Sequence, residues 1–126
     1  MQYMTNRQSL RCVIIDDNTD YLAAATALLQ QGGIDVVATA QSVADGIHTV
    51  ERLQPDIALV DVNLGEESGF DLVDQLHAHA GTAGVTAILT STFSELPLAD
   101  LTTADSTPRF LPKLDLSGDA IRALIG

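Results

Sequence analysis

Two apolar runs dominate the pattern of this chain. Residues 10–15 lead through Cys12-Val13-Ile14-Ile15 into Asp16-Asp17-Asn18, and residues 57–62 are apolar except for Asp61 before Asn63, Gly65, Ser68 and Gly69 close the run. Short apolar stretches bounded by turn residues predict buried strands, each carrying acid groups to its C-terminal tip. Between them, residues 19–31 place Leu22, Ala25, Leu28 and Leu29 on one side, an amphipathic helix with Asn18 as N-cap and Gly32-Gly33 as its stop. Residues 35–40 predict a second strand. Ser42 caps a second helix with Val43, Ile47, Val50 and Leu53 inward, halted by Pro55.

Beyond Gly69, the spacing of Phe70, Leu72, Val73 and Leu76 predicts a third helix that ends in the loop 80–84. Residues 85–89 predict a fourth strand running into Thr90-Ser91-Thr92. Residues 93–107, interrupted by Pro97, predict a short or distorted fourth helix. Residues 109–111 predict a fifth strand closed by Pro112, with Lys113 just past it. A last helix is expected over 116–125, with Ser117 as N-cap and Ile121, Leu124 and Ile125 inward. Strands alternating with helices, five of each, predict an α/β fold: a doubly wound parallel sheet covered on both faces, three layers αβα.

In such sheets ligands sit beyond the C-terminal strand ends, which gathers Asp16, Asp17, Asp61, Thr90 and Lys113 on one rim. Two carboxylates about 4 Å apart repel by roughly 4 kcal/mol at an effective dielectric near 20. A positive group is therefore expected between them, either a hard divalent cation, which takes oxygen ligands, or a lysine. Taken singly, each acid reads equally well as a helix cap or turn residue; their convergence favours a site.

Composition narrows the partners. The 126 residues fit one domain, and 46% hydrophobic with 18% charged residues is a globular composition. A net charge of −11 with six Lys plus Arg argues against direct binding of nucleic acid or an anionic membrane surface. Cys12 stands alone and reads as a buried structural thiol. His48, His77 and His79 lack zinc-ligand spacing and read as surface or half-buried residues. Residues 1–9 hold no apolar leader region and no segment is long enough for a membrane span, so a cytoplasmic chain is expected, with 1–9 a flexible lead-in to a domain over 10–126.

The acid pair after strand one, Asp61 after strand three, Gly69 eight residues later, Thr90 after strand four and Lys113 after strand five make the chain resemble the response-regulator receiver domains of two-component signalling. The resemblance covers residues 10–125 and implies a flavodoxin-like fold. It implies that Asp61 accepts a phosphoryl group from the phosphohistidine of a sensor histidine kinase or phosphotransfer protein, and that Asp17, Asp61 and the Asn63 carbonyl bind Mg²⁺, with Asp16 assisting through water. Lys113 would pair with Asp61 and then with the phosphoryl oxygens, Thr90 would swing in to the phosphate, and Phe110 would be the switch aromatic. Asn63 and Thr92 fall where the family tunes acyl-phosphate lifetime. Such a domain is a switch that phosphorylates itself and slowly loses the group, not an enzyme with a separate substrate pool. A homodimer is open, as is a DNA-binding output domain should the chain belong to a longer regulator.

Leu114 departs from the family's proline after the lysine, which leaves the isomer of the Lys113-Leu114 bond open, and Ser91 fits only loosely the small residue usual after Thr90. A phosphorylation-independent pseudo-receiver, an interaction module with the same fold, is the alternative reading. A flavin carrier is not, because Asp16-Asp17-Asn18 has the wrong charge for a phosphate loop.

Overall fold

The protein is described from a computed structural model, which covers residues 10–82, 84–92 and 109–125. Its strands are β1 (Arg11–Ile15), β2 (Asp35–Ala40), β3 (Ile57–Asp61), β4 (Asn63–Leu64), β5 (Glu67–Ser68), β6 (Thr86–Ser91) and β7 (Arg109–Pro112). Its helices are α1 (Thr19–Gln31), α2 (Val43–Leu53), α3 (Gly69–Ala78) and α4 (Gly118–Ile125). Five strands form one sheet in the order β2-β1-β3-β6-β7, every pair parallel, while β4 and β5 make a separate antiparallel hairpin. This is the α/β doubly wound architecture that the alternation of elements predicts.

Side chains alternate between the two faces of a strand, and here that alternation divides the core. Cys12, Ile14, Ile57, Leu59, Ile88 and Leu111 pack with Leu22, Ala25 and Leu29 of α1 and Ile121 of α4. Val13, Ile15, Ala58, Val60, Ala87 and Leu89 pack on the other side with Val50 of α2 and Leu72, Val73 and Leu76 of α3. β3 is buried along its whole length, as expected of a central strand covered by helices on both faces.

Local chemistry sets the element ends. The Asn18 side chain accepts a hydrogen bond from the Tyr21 N–H and Ser42 accepts from the Asp45 N–H, opening α1 and α2 as the sequence predicts. Several boundaries differ. Thr90 and Ser91 lie inside β6 rather than past it, and Pro112 ends β7 within the sheet, tolerated on an edge strand where a missing N–H costs no ladder bond. Leu116 is extended and buried in the core, so α4 starts at Gly118, with the Ser117 hydroxyl accepting from the Ala120 N–H. The two-residue strands β4 and β5 are too short for any hydrophobic period to announce them. Lys113-Leu114 is trans, as no described peptide bond is cis. The helix expected over 93–107 lies outside the described residues.

Among the described residues, no helix is long and apolar enough to cross a membrane. All three histidines are exposed. Cys12 is fully buried, and loss of hydration pushes its thiol up to about 12. Iodoacetamide at pH 8 is expected to leave the native protein unlabelled and to label it stoichiometrically in denaturant; rapid native labelling would contradict the buried placement.

Candidate functional site

Strand periodicity builds this site. Ile14, Leu59, Ile88 and Leu111 all face the α1/α4 side of the sheet, and two residues further along each series stand Asp16, Asp61, Thr90 and Lys113. Asp61 is register partner of Thr90 across β3 and β6, and the Val62 N–H donates to the Thr90 carbonyl. Carboxylate oxygens of Asp16, Asp17 and Asp61 lie within 4.8 Å of one another, Asp16 and Asp61 buried and Asp17 exposed. With Lys113 they line a cleft of about 360 Å³, which Asn63 and Thr92 also border. A larger groove of about 700 Å³ runs beside the hairpin past Glu66, Glu67 and Phe70, with no cation among its lining residues.

The Lys113 ammonium sits between two carboxylates: 2.7 Å from Asp16 Oδ2 and 3.4 Å from Asp61 Oδ2, to which it donates a hydrogen bond. The resemblance to receivers implies a pair with Asp61; in this protein Asp16 is the nearer partner. That shorter contact misses hydrogen-bond geometry, so a buried oxygen of Asp16 has an ion-pair partner but no hydrogen-bond donor among the described residues. Its other oxygen accepts from the Asn18 N–H at 2.9 Å, and Asp61 Oδ1 accepts from the Asn63 N–H at 3.2 Å. Burial pushes the Asp61 carboxyl above the ordinary carboxylate range; the Asn63 N–H pulls it back, Asp16 raises it further, and Lys113 opposes.

Three carboxylates against one ammonium leave the cluster under-neutralised. All its ligand atoms are oxygens, and one buried oxygen lacks a donor, so the donor set fits a hard divalent cation such as Mg²⁺. The loop after Asp61 brings backbone close to it. Gly65 opens the hairpin turn at φ 67, where glycine is favoured, and lies beside the Asp17 carboxylate. Gly69 starts α3 against the Asp61 backbone: a Cβ there would fall onto the Asp61 carbonyl oxygen and 2.9 Å from the Val62 Cα. Gly69→Ala is therefore expected to lower stability by about 1–3 kcal/mol, measured by urea unfolding. An unchanged midpoint would show that the loop yields freely.

The other expected site residues are dispersed around this centre. Thr90 is buried in β6 and Thr92 is exposed at its end. Phe110 is half-buried and faces the opposite side of the sheet, packed against the α2/α3 cluster. One residue escaped sequence reasoning: Tyr21, whose ring centroid lies 4.2 Å from the Lys113 nitrogen. Burial first, then Asp16 and Asp61, push its phenol up, keeping the ring neutral. Its signal was the i, i+4, i+8 spacing of Tyr21, Ala25 and Leu29, which sets an aromatic at the end of the buried stripe of α1.

The family model described as the response regulator receiver domain matches residues 12–115. A matching relative is the acid tolerance regulatory protein ActR of Sinorhizobium medicae, 33% identical over 64 residues, which are 51% of this chain and 32% of that protein. Another is a protein-glutamate methylesterase/protein-glutamine glutaminase of Archaeoglobus fulgidus, 32% identical over 60 residues, 48% of this chain and 17% of that protein. The matched stretches thus span about a third or less of these curated relatives. Among solved structures, a two component response regulator from Cytophaga hutchinsonii superposes with a TM-score of 0.76 at 20% identity, covering 93% of this chain and 95% of that one.

Proposed function

Because the chain belongs to the response regulator receiver domain family, we propose that it is a phosphorylation-driven signalling switch whose phosphoacceptor is Asp61. The observation that carries this reading is the convergence of Asp61, two further carboxylates and the Lys113 ammonium in one cleft at the C-terminal edge of the sheet. Asp61 is the carboxylate that ends the central strand and meets that ammonium at the cleft wall.

A carboxylate oxygen of Asp61 attacks the phosphorus of a phosphohistidine on a histidine kinase or phosphotransfer protein. The new O–P bond forms as the P–N bond breaks, and the imidazole nitrogen leaves with the electron pair. Negative charge on the transferred group then needs donors already in place. Lys113, which in the resting state spans Asp16 and Asp61, turns toward the phosphoryl oxygens, and the Thr90 hydroxyl donates to another. Mg²⁺, when bound through Asp17, Asp61 and the Asn63 carbonyl, with Asp16 assisting through water, supplies neutralising charge for those oxygens. Phe110 follows the Thr90 movement and alters the surface that an output partner reads. Asn63 and Thr92, at the cleft mouth, govern how readily water reaches the acyl phosphate. Residues 10–126 form the receiver and 1–9 its lead-in, acting in the cytoplasm where kinases present their phosphohistidine.

Incubation with acetyl phosphate and Mg²⁺ is expected to add one phosphoryl group by intact mass, and EDTA to prevent it. No increment with any phosphodonor would overturn the reading in favour of an interaction module that signals without phosphate.

A further inference from the structure

Among the described residues the Lys113 ammonium has close contacts with two anions and one aromatic ring. Asp16 Oδ2 lies at 2.7 Å, Asp61 Oδ2 at 3.4 Å, and the face of Tyr21 at 4.2 Å from ring centroid to nitrogen. The lysine side chain is only 10% exposed, so the ring stands where water would otherwise solvate the cation. A ring face attracts an ammonium through its quadrupole without binding it in a fixed direction.

Tyr21 is well anchored for this task. It sits in the first turn of α1, its N–H donated to the Asn18 side chain, and Asn18 in turn donates its N–H to Asp16. The turn that presents Asp16 to the cleft therefore also sets the ring. Below, the ring packs on the α1/α4 core cluster. Its hydroxyl is buried and has no hydrogen-bond partner among the described residues. A phenol whose hydroxyl contacts no partner contributes through its ring.

We propose that Tyr21 is a positioning residue for Lys113: its ring face holds the ammonium over the gap between Asp16 and Asp61, so that the lysine passes from the carboxylates to an incoming phosphoryl group without leaving the cleft. An amide or acid in that place would bind the ammonium directionally; an aliphatic side chain would let it swing to solvent or settle fully on Asp16. This inference rests on the reading of Asp61 as phosphoacceptor, and its test separates the two.

Tyr21→Phe keeps the ring and Tyr21→Leu removes it; Tyr21→Met is the substitute should the leucine variant fail to fold. In the metal-free protein, the Lys113 Cε protons are expected to show an upfield ring-current shift in wild type and Tyr21→Phe that disappears in Tyr21→Leu. With acetyl phosphate and Mg²⁺, Tyr21→Phe should phosphorylate within about twofold of wild type. Tyr21→Leu should be slower by roughly three- to thirtyfold in limiting rate, with little change in half-saturating donor. Unshifted Lys113 protons in wild type, or a leucine variant with wild-type rate, would overturn the proposal, as would a phenylalanine variant as slow as the leucine one. If wild type takes no phosphoryl group at all, it is the Asp61 reading that fails, and the proton shifts still decide where Tyr21 holds the lysine.

Discussion

Lys113→Met is expected to cost the metal-free domain about 3 kcal/mol in urea unfolding with EDTA present, because it strips a buried carboxylate pair of the only cation beside it among the described residues and leaves the charges uncompensated. The size follows from burial: the Asp16 side chain is 1% exposed, Asp61 9% and Lys113 itself 10%, far from the solvated surface pairs that are worth little. Methionine keeps most of the unbranched stem, so the loss reports charge rather than packing. A second effect has the opposite sign. A Mg²⁺ held by these carboxylates would compete with the lysine for them, so the variant should bind Mg²⁺ more tightly than wild type, and saturating Mg²⁺ should restore part of the lost stability. A variant as stable as wild type without metal, or one that binds Mg²⁺ less tightly, would show that the lysine does not balance the carboxylates.

Asp61→Asn is expected to abolish phosphoryl uptake completely while stabilising the metal-free protein at neutral pH by about 1–2 kcal/mol. The stability gain follows from the charge count: two carboxylates remain for Lys113, and one whose ionisation burial disfavours is gone. The pH dependence has a definite sign. In metal-free wild type Asp61 holds its proton to higher pH when folded than when unfolded, so its contribution to stability is fully present below the unfolded carboxyl pKa and is lost as pH rises through the raised folded value. Above that window Asp61→Asn should therefore exceed wild type, and the advantage should shrink as the pH falls into the acid range. Chemical denaturation across pH in EDTA measures this; a variant less stable than wild type at neutral pH would mean that Asp61 is held by more favourable contacts than those seen.

Much of the fold was legible because strand and helix periods agree with burial. Alternation in Cys12–Ile15 and Ile57–Asp61 sorts side chains to the two helical layers, and the Asn18 and Ser42 caps begin α1 and α2 where expected. The same alternation explains why Asp16, Asp61 and Lys113 meet, with Thr90 the register partner of Asp61: each continues a series of residues facing one layer. What escaped was contact that no period encodes. The β4–β5 hairpin depends on Gly65 at positive φ and on two pairs of residues, too little sequence for a pattern. Spacing marks Tyr21 only as the end of the buried stripe of α1; that its ring faces Lys113, and that Lys113 lies nearer Asp16, comes from how the first turn of α1 meets the 3-10 turn after β7, a matter of tertiary approach.

Asp61, among three clustered carboxylates, is expected to be the one that takes the phosphoryl group. Borohydride reduces an acyl phosphate to the alcohol, so peptide mapping of protein reduced after phosphorylation reads the acceptor directly. Conversion to homoserine at position 61, dependent on Mg²⁺ and on the phosphodonor, is the predicted result. Conversion at Asp16 or Asp17, or a phosphoryl group that resists reduction because it sits on a hydroxyl such as Thr90, would contradict it.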